Sequence, residues 1–397
     1  MRKFLAGLTM VFVLAVVAAA PAMAEGKGKD EPSIQVRFLL QPQMQIIQAK
    51  KQPGADALVN ITPDNNGIGQ EFYLRRTRVI LAGKVNKWIH FFFETDNPNL
   101  GRNGNAGGTF TQDGFIDFRF FNELKVAAGM ILLPFSRHNR QSAASLMGLD
   151  YHSAVFTAWG PQRIWRDYGI EARGIVMDKI DYRVGVFNGF RGTDLKGNVV
   201  ATNDIPRITG RVSYSIFDPE PKFFYGGTYL GKKKVLNVGF GFDVQPEGGV
   251  EGAAIPGGKN KKDLYYALTG DVFLDWPLGD SMAATFNTGF MFYSYGSKEF
   301  NIKTSIAMFG EVGFFIQNFQ PVVGFEWGQP LDTDTFEDNQ ILNFRAGLNY
   351  YIKGHNATVK IEYASTLNTI GFAKIPGGPD AGDYRRNVVT LQTQLLF

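Results

Sequence analysis

Nine arginines carry the chemistry legible in this chain. Arg76 and Arg78 lie in the run Arg75-Arg76-Thr77-Arg78, Arg119 follows in an alternating stretch, and Arg207 and Arg211 share one face further on. Arg137, Arg140, Arg163 and Arg166 fall within one non-periodic segment, Pro134–Arg166, against the single acid Asp150. Arginines gathered at a constriction favour anions. Catalysis has no comparable signature: Gly-x-Ser-x-Gly, His-Glu-x-x-His and the phosphate-binding Gly-x-x-x-x-Gly-Lys-Ser/Thr are all missing. Gly257-Gly258-Lys259 sits in a loop without the strand–turn–helix setting of a phosphate cradle. Ser142 and Ser145 lie near His138 and His152, but nothing orients either histidine as a base. The four histidines have no metal-ligand spacing, and the absence of cysteine rules out disulfides, thiolate metal sites and covalent c-type haem on this chain. No enzyme activity, cofactor or metal is expected.

The elements that position these arginines read as strands. Around Phe115–Asn188, Gly114–Phe121 turns at Asn122-Glu123 and returns as Leu124–Leu133. Tyr168–Val176 and Ile180–Phe187 are joined by three residues, so they are antiparallel neighbours. Ile116, Phe118 and Phe120 share one face while Asp117 and Arg119 share the other. In Ser33–Ile47 a row of aliphatics opposes Gln35, Arg37, Gln41, Gln43 and Gln45. An aromatic-rich face backed by a row of amides suits lipid outside and water inside. Further strands are expected at Glu71–Ala82, Lys87–Glu94, Ile205–Ile216, Val235–Val244, Leu264–Asp275, Ser281–Tyr293, Ser305–Ile316, Val322–Trp327, Ile341–Tyr351, Ala357–Tyr363 and Val388–Phe397.

These make sixteen, a closed all-β transmembrane antiparallel barrel with Pro134–Arg166 folded inward as its third long loop. Short turns alternate with long loops, as periplasmic and external connections do. Phe223–Leu230 would make a seventeenth strand. A bacterial barrel keeps both termini on one side, so the number is even, and Phe217–Lys234 is expected as a long periplasmic connection.

Met1–Ala24 has the form of a cleaved signal peptide: Arg2 and Lys3, an apolar core from Phe4 to Ala20, then Ala22-Met23-Ala24. Residues 25–397 would form the barrel, reaching the outer membrane of a Gram-negative cell. The alternating C-terminal strand ending in Phe397 resembles an outer-membrane insertion signal. Losing Arg2 and Lys3 lowers the formal charge from +4 to +2, too little to argue for nucleic acid. Polar faces assigned inward put nine basic residues against four acids in the first eight strands. The last eight place Asp243, Asp271, Asp275, Glu311, Glu326 and Glu362 against Arg345 and Lys360. The pore implied has one basic and one acidic wall with a basic loop entering it. Such residues could also simply hydrate the lumen and pair with one another.

Arg75-Arg76-Thr77-Arg78-Val79 with Gly83 resembles the arginine-rich second strand of the phosphate-selective porin O/P family. Phe115-Ile-Asp-Phe, Leu124-Lys-Val-Ala-Ala-Gly-Met and Pro134-Phe135-Ser136 resemble its next hairpin and the start of its third loop. Arg166-Asp-Tyr-Gly-Ile, Gly185-Val-Phe-Asn-Gly and Arg211–Phe217 resemble later strands, so the likeness runs from about Ser33 to Lys234. It implies a sixteen-stranded homotrimeric channel in outer-membrane lipid, narrowed by its third loop and passing small anionic solutes. The chain departs from strongly phosphate-selective members in holding only fragments of their arginine ladder and an acidic opposite wall. Passage of small anions or oxyanions therefore fits better than strict phosphate specificity. A second reading is the barrel of a porin–cytochrome electron conduit. Without Cys-x-x-Cys-His here, its haems would belong to separate multihaem cytochromes.

Overall fold

A computed structural model describes residues 31–49, 68–157, 165–189, 192–193, 199–200, 205–250, 262–299, 302–331, 341–367 and 385–397. The expected signal peptide and Arg163 lie outside the described residues. Sixteen strands form one closed barrel in chain order. They are β1 (Ser33–Ala49), β2 (Ile68–Lys84), β3 (Ile89–Asp96), β4 (Phe110–Phe121), β5 (Leu124–Leu132), β6 (Arg166–Val176), β7 (Ile180–Phe187) and β8 (Arg207–Ser215). Then follow β9 (Val235–Val250), β10 (Lys262–Gly279), β11 (Met282–Glu299), β12 (Ile302–Ile316), β13 (Phe319–Pro330), β14 (Ile341–Tyr351), β15 (Ala357–Leu367) and β16 (Arg385–Leu396). A separate two-stranded ladder pairs Gly192–Thr193 with Val199–Val200.

The closure between β1 and β16 shows why these sequences make this wall. In the antiparallel register Gln43 faces Gln392 and Met44 faces Leu391. Inside, the Gln41 amide donates to Gln394 at 2.7 Å and the Gln43 amide to Gln392 at 2.6 Å. Outside, Phe38 stacks on Phe397 with ring centroids 5.5 Å apart. Each strand thus satisfies its backbone in the ladder and turns its apolar row outward. Phe72, Phe240, Phe290, Val323 and Ile361 all lie exposed on that outer surface. An apolar band encircling the molecule needs hydrocarbon around it. Among the described residues no helix is long and apolar enough to cross a membrane.

Turns at the end carrying Ser33 and Phe397 are short. At the β6–β7 turn Met177 and Asp178 have φ of 55° and 53°, the paired left-handed conformations whose twist matches a tight hairpin. The one long connection at this end, residues 217–234, is not a barrel strand. Among the described residues its one bridge pairs Tyr225 with Gln141 in parallel, inside the lumen. The even-strand argument therefore holds at Phe223–Leu230.

The segment between β5 and β6 also turns inward. It contains a short helix, α1 (Ser153–Thr157). Phe135, Val155 and Phe156 pack against Tyr265, Met291, Tyr293 and Phe309 on the inner face of β10–β12. A second apolar cluster joins Phe115, Ile131, Leu133 and Phe187 with Phe92 and Phe223. The inner face is therefore not uniformly wet: it is dry where the inward segments rest and polar elsewhere.

Candidate functional site in the barrel lumen

β2 carries the first functional side chains, and a bulge decides where they point. Gln41 pairs with Arg76 whereas Pro42 pairs with Leu74, so Arg75 is the extra residue. An extra residue lets two successive side chains address the same face. Arg75 Nε and Arg76 Nη2 each donate to Asp150 of the inward loop at 2.6 Å. Asp150 is thus clamped by two guanidiniums from one strand. Burial opposes its ionisation, but Arg75 and Arg76 override that and hold its carboxyl far below the usual carboxylate range.

The opposite wall completes the anchorage. Lys360 Nζ donates to the carbonyls of Leu146 and Gly148 at 2.6 and 2.9 Å, and Arg345 donates to those of Asp150 and Tyr151 at 3.0 and 3.1 Å. Glu362 accepts the Leu149 N–H at 3.1 Å. His152 sits between Glu326 at 3.0 Å and Glu311 at 3.4 Å. Burial and Arg345 oppose protonation of His152, yet its bonds to the two glutamates raise its pKa above the ordinary histidine value. His138 beside it is held well below that value by burial, reinforced by His152. Its ring accepts the His152 N–H at 2.9 Å. Neither serine expected near this pair bonds to a histidine among the described residues: Ser145 Oγ donates to the Ser142 carbonyl. Nor does any group of three His, Asp or Glu among them form a metal site.

Of the nine arginines read from the sequence, all eight described are paired with carboxylates. Arg76 takes Asp150, Arg78 takes Glu94 and Asp96, and Arg119 takes Asp117. Arg137 takes Glu220 and Arg140 takes Glu171, both fully buried. Arg166 takes Asp113, Arg207 takes Asp243 and Arg211 takes Asp271. Each of the eight thus lies with a carboxylate beside it. A guanidinium packed under a loop has lost its water, and only a carboxylate offsets that loss. Arg137 and Arg140 are loop anchors. The acidic wall is likewise engaged: Asp243 and Asp271 hold Arg207 and Arg211, and Asp275 accepts from Thr228 Oγ1 and the Tyr229 N–H.

Sequence reasoning missed Asp96, Asp113 and Glu220, which neutralise Arg78, Arg166 and Arg137. Glu220 lies in the connection 217–234, whose lack of period hid its inward path. The signal available was on β10–β12, where Tyr265, Ala267, Met291, Tyr293, Ala307 and Phe309 occupy inward positions that a wet wall would fill with polar residues.

Connection 217–234 approaches the inward loop from the end carrying Ser33 and Phe397. Tyr225 exchanges backbone bonds with Arg140 and Ser142 at 3.0 and 2.9 Å, and Tyr229 Oη donates to Glu220 at 2.5 Å. Burial, with Glu220 adding to it, drives the Tyr229 hydroxyl far above the ordinary phenol range. Burial also lowers His355 to about 4, consistent with a neutral ring on the Thr228 carbonyl at 3.0 Å. Beyond this connection a cavity of about 680 Å³ opens towards Ser33 and Leu396. Arg37, Lys84, Arg119 and Lys222 line it, against one acid, Asp117. Asp117 is buried and shared by Arg119 at 2.7 Å and Arg173 at 2.6 Å. The inward segments occupy the bore that a threaded cytochrome would need, so the geometry does not favour the electron-conduit reading.

A closed sixteen-stranded barrel, apolar outside and narrowed by an inward loop, is the architecture of an outer-membrane porin. The family model described as phosphate-selective porin O and P matches residues 47–196. Among solved structures, the outer membrane channel DcaP of Acinetobacter baumannii is similar at 12% identity, with 94% of this chain and 100% of that chain covered and a TM-score of 0.58. An anion-selective porin from Comamonas acidovorans is similar at 13% identity, covering 92% and 100%, with a TM-score of 0.54. OmpT of Vibrio cholerae, solved in a trimer form, is similar at 10% identity, covering 93% and 100%, with a TM-score of 0.54. No curated protein matches the chain.

Proposed function

We propose that this chain is an outer-membrane porin that passes small solutes by passive diffusion and prefers small anions or oxyanions of the phosphate type. One observation carries the reading: among the described residues the lumen's acids are engaged by basic or hydrogen-bonding partners, whereas the exposed charges lining the cavity are basic. Arg37 and Lys222 are exposed, and the Arg119 side chain keeps 44% exposure although Asp117 binds its Nε. A water-facing field of one sign filters ions by sign. The family match and the anion-selective structural neighbour agree with this preference. Assembly as a homotrimer is part of the same proposal, supported by the resemblance and by the neighbour solved as a trimer. So is export through cleavage after Ala24.

The test is the reversal potential of the purified protein in a planar bilayer under a potassium chloride gradient. The sign should be that of chloride permeation. Arg37→Gln with Lys222→Gln should move it towards zero, because each removes a charge that lines the cavity without a carboxylate partner among the described residues. A parent channel selective for potassium overturns the proposal.

A further inference from the structure

The same cavity has a second property that an inorganic anion does not require. Four phenyl rings gather at it: Phe92 and Phe115 lie 5.5 Å apart, Phe115 and Phe223 4.4 Å, Phe92 and Phe224 5.3 Å, and Phe223 and Phe224 4.9 Å. All four line the cavity, and Phe92, Phe223 and Phe224 remain half-buried there. Two of the rings come from the inward connection, so they are delivered into the bore and do not belong to its wall. Partly exposed aromatics in an aqueous passage cost hydration unless a solute covers them.

The basic side chains beside them supply a head-group partner. Asp117 engages Arg119 through Nε, and neither Nη of Arg119 has a hydrogen-bond partner among the described residues. That leaves the forked end of the guanidinium open for a carboxylate, the geometry in which arginine binds two oxygens at once. Lys222 directly precedes the two phenylalanines of the connection and is exposed. Inorganic phosphate is compact and strongly hydrated, so it would use the charges and gain nothing from the rings. A planar ring bearing a carboxylate uses both. A volume of about 680 Å³ admits such a molecule with its water.

We infer that the vestibule formed by Phe92, Phe115, Phe223 and Phe224 beside Arg119 and Lys222 is a retention site for aromatic carboxylates on the path through the channel. This rests on the anion-channel reading above and names the solute class that the site holds best.

Block of chloride current through the full-length protein tests it, with sodium benzoate, sodium acetate and inorganic phosphate as probes. Benzoate should half-block at a roughly tenfold lower concentration than acetate or phosphate, the ratio that about one ring–ring contact supplies. Phe224→Ala should remove the benzoate–acetate difference while the reversal potential keeps its anionic sign. Arg119→Gln should weaken block by both carboxylates. Phe224→Leu, which retains apolar volume without a ring, gives the same comparison if the alanine variant does not assemble. An anion-selective channel on which benzoate and acetate act alike, or a Phe224 variant that keeps the difference, overturns the inference alone. Cation selectivity in the parent overturns the anion-channel reading beneath it.

Discussion

Asp150→Asn is the perturbation that most sharply tests how the inward loop is held. The native carboxylate receives Arg75 and Arg76 at 2.6 Å each, and its side chain is 28% exposed. Removing one partner of a buried ion pair costs about 3–5 kcal/mol because the remaining charge is stranded. Partial exposure and the surviving amide oxygen place this case near the lower end. A loss of about 3 kcal/mol raises the open-to-closed ratio of the loop roughly 150-fold. The absence of cysteine makes this measurable with one reporter, Ala143→Cys, on a buried loop residue. Thiol labelling in detergent-solubilised barrels should be slow in the otherwise native protein and faster by up to that ratio with Asp150→Asn. Equal labelling rates in two intact barrels would refute the clamp.

Gly241→Ala should also dislodge the loop, because its Cβ would lie 1.8 Å from the Phe135 carbonyl oxygen; faster labelling at position 143 is the readout, and an unchanged rate contradicts the close approach. On the lipid face, Phe290→Arg should cost about 2–4 kcal/mol, seen as a lower urea midpoint in vesicles, since arginine near the bilayer midplane carries that penalty. An unshifted midpoint places Phe290 away from hydrocarbon. His152 has a raised folded pKa, so its stabilising contribution is complete below its unfolded value near ~6.5 and disappears as pH rises through the folded one. Loop-dependent current fluctuations should therefore grow on the alkaline side and be flattened by His152→Gln. His355 is lowered to about 4, so the opposite sign applies: acidification from ~6.5 towards 4 should loosen connection 217–234, read by hydrogen exchange at Tyr225–Tyr229. Unchanged exchange over that range contradicts the neutral-histidine contact.

The wall was legible because a strand facing lipid on one side and an occupied lumen on the other alternates at a period that survives without any homologue. Ser33–Ile47, with aliphatics opposite glutamines, became a strand whose inner amides close the barrel. The parity of strand number settled Phe223–Leu230, although its composition is that of a strand. The partners of the arginines were not legible. Arg75 reaches Asp150 only because a one-residue bulge changes the face it addresses, and nothing in Arg75-Arg76-Thr77-Arg78 announces a bulge. Glu220 meets Arg137 through two segments without period, 83 residues apart in the chain. Counting inward charges strand by strand therefore located the basic side chains but not which carboxylates sit beside them. Among the described residues, Arg37, Arg119 and Lys222 stay basic and exposed at the cavity.

The most direct test of a solute path inside this barrel is single-channel current with Arg119→Cys as the only thiol. Attaching a bulky thiol reagent there should lower the conductance of each open step, while the same reagent on Phe290→Cys should leave it unchanged. Current insensitive to modification at position 119, or lost equally at position 290, would mean that ions do not pass through the cavity.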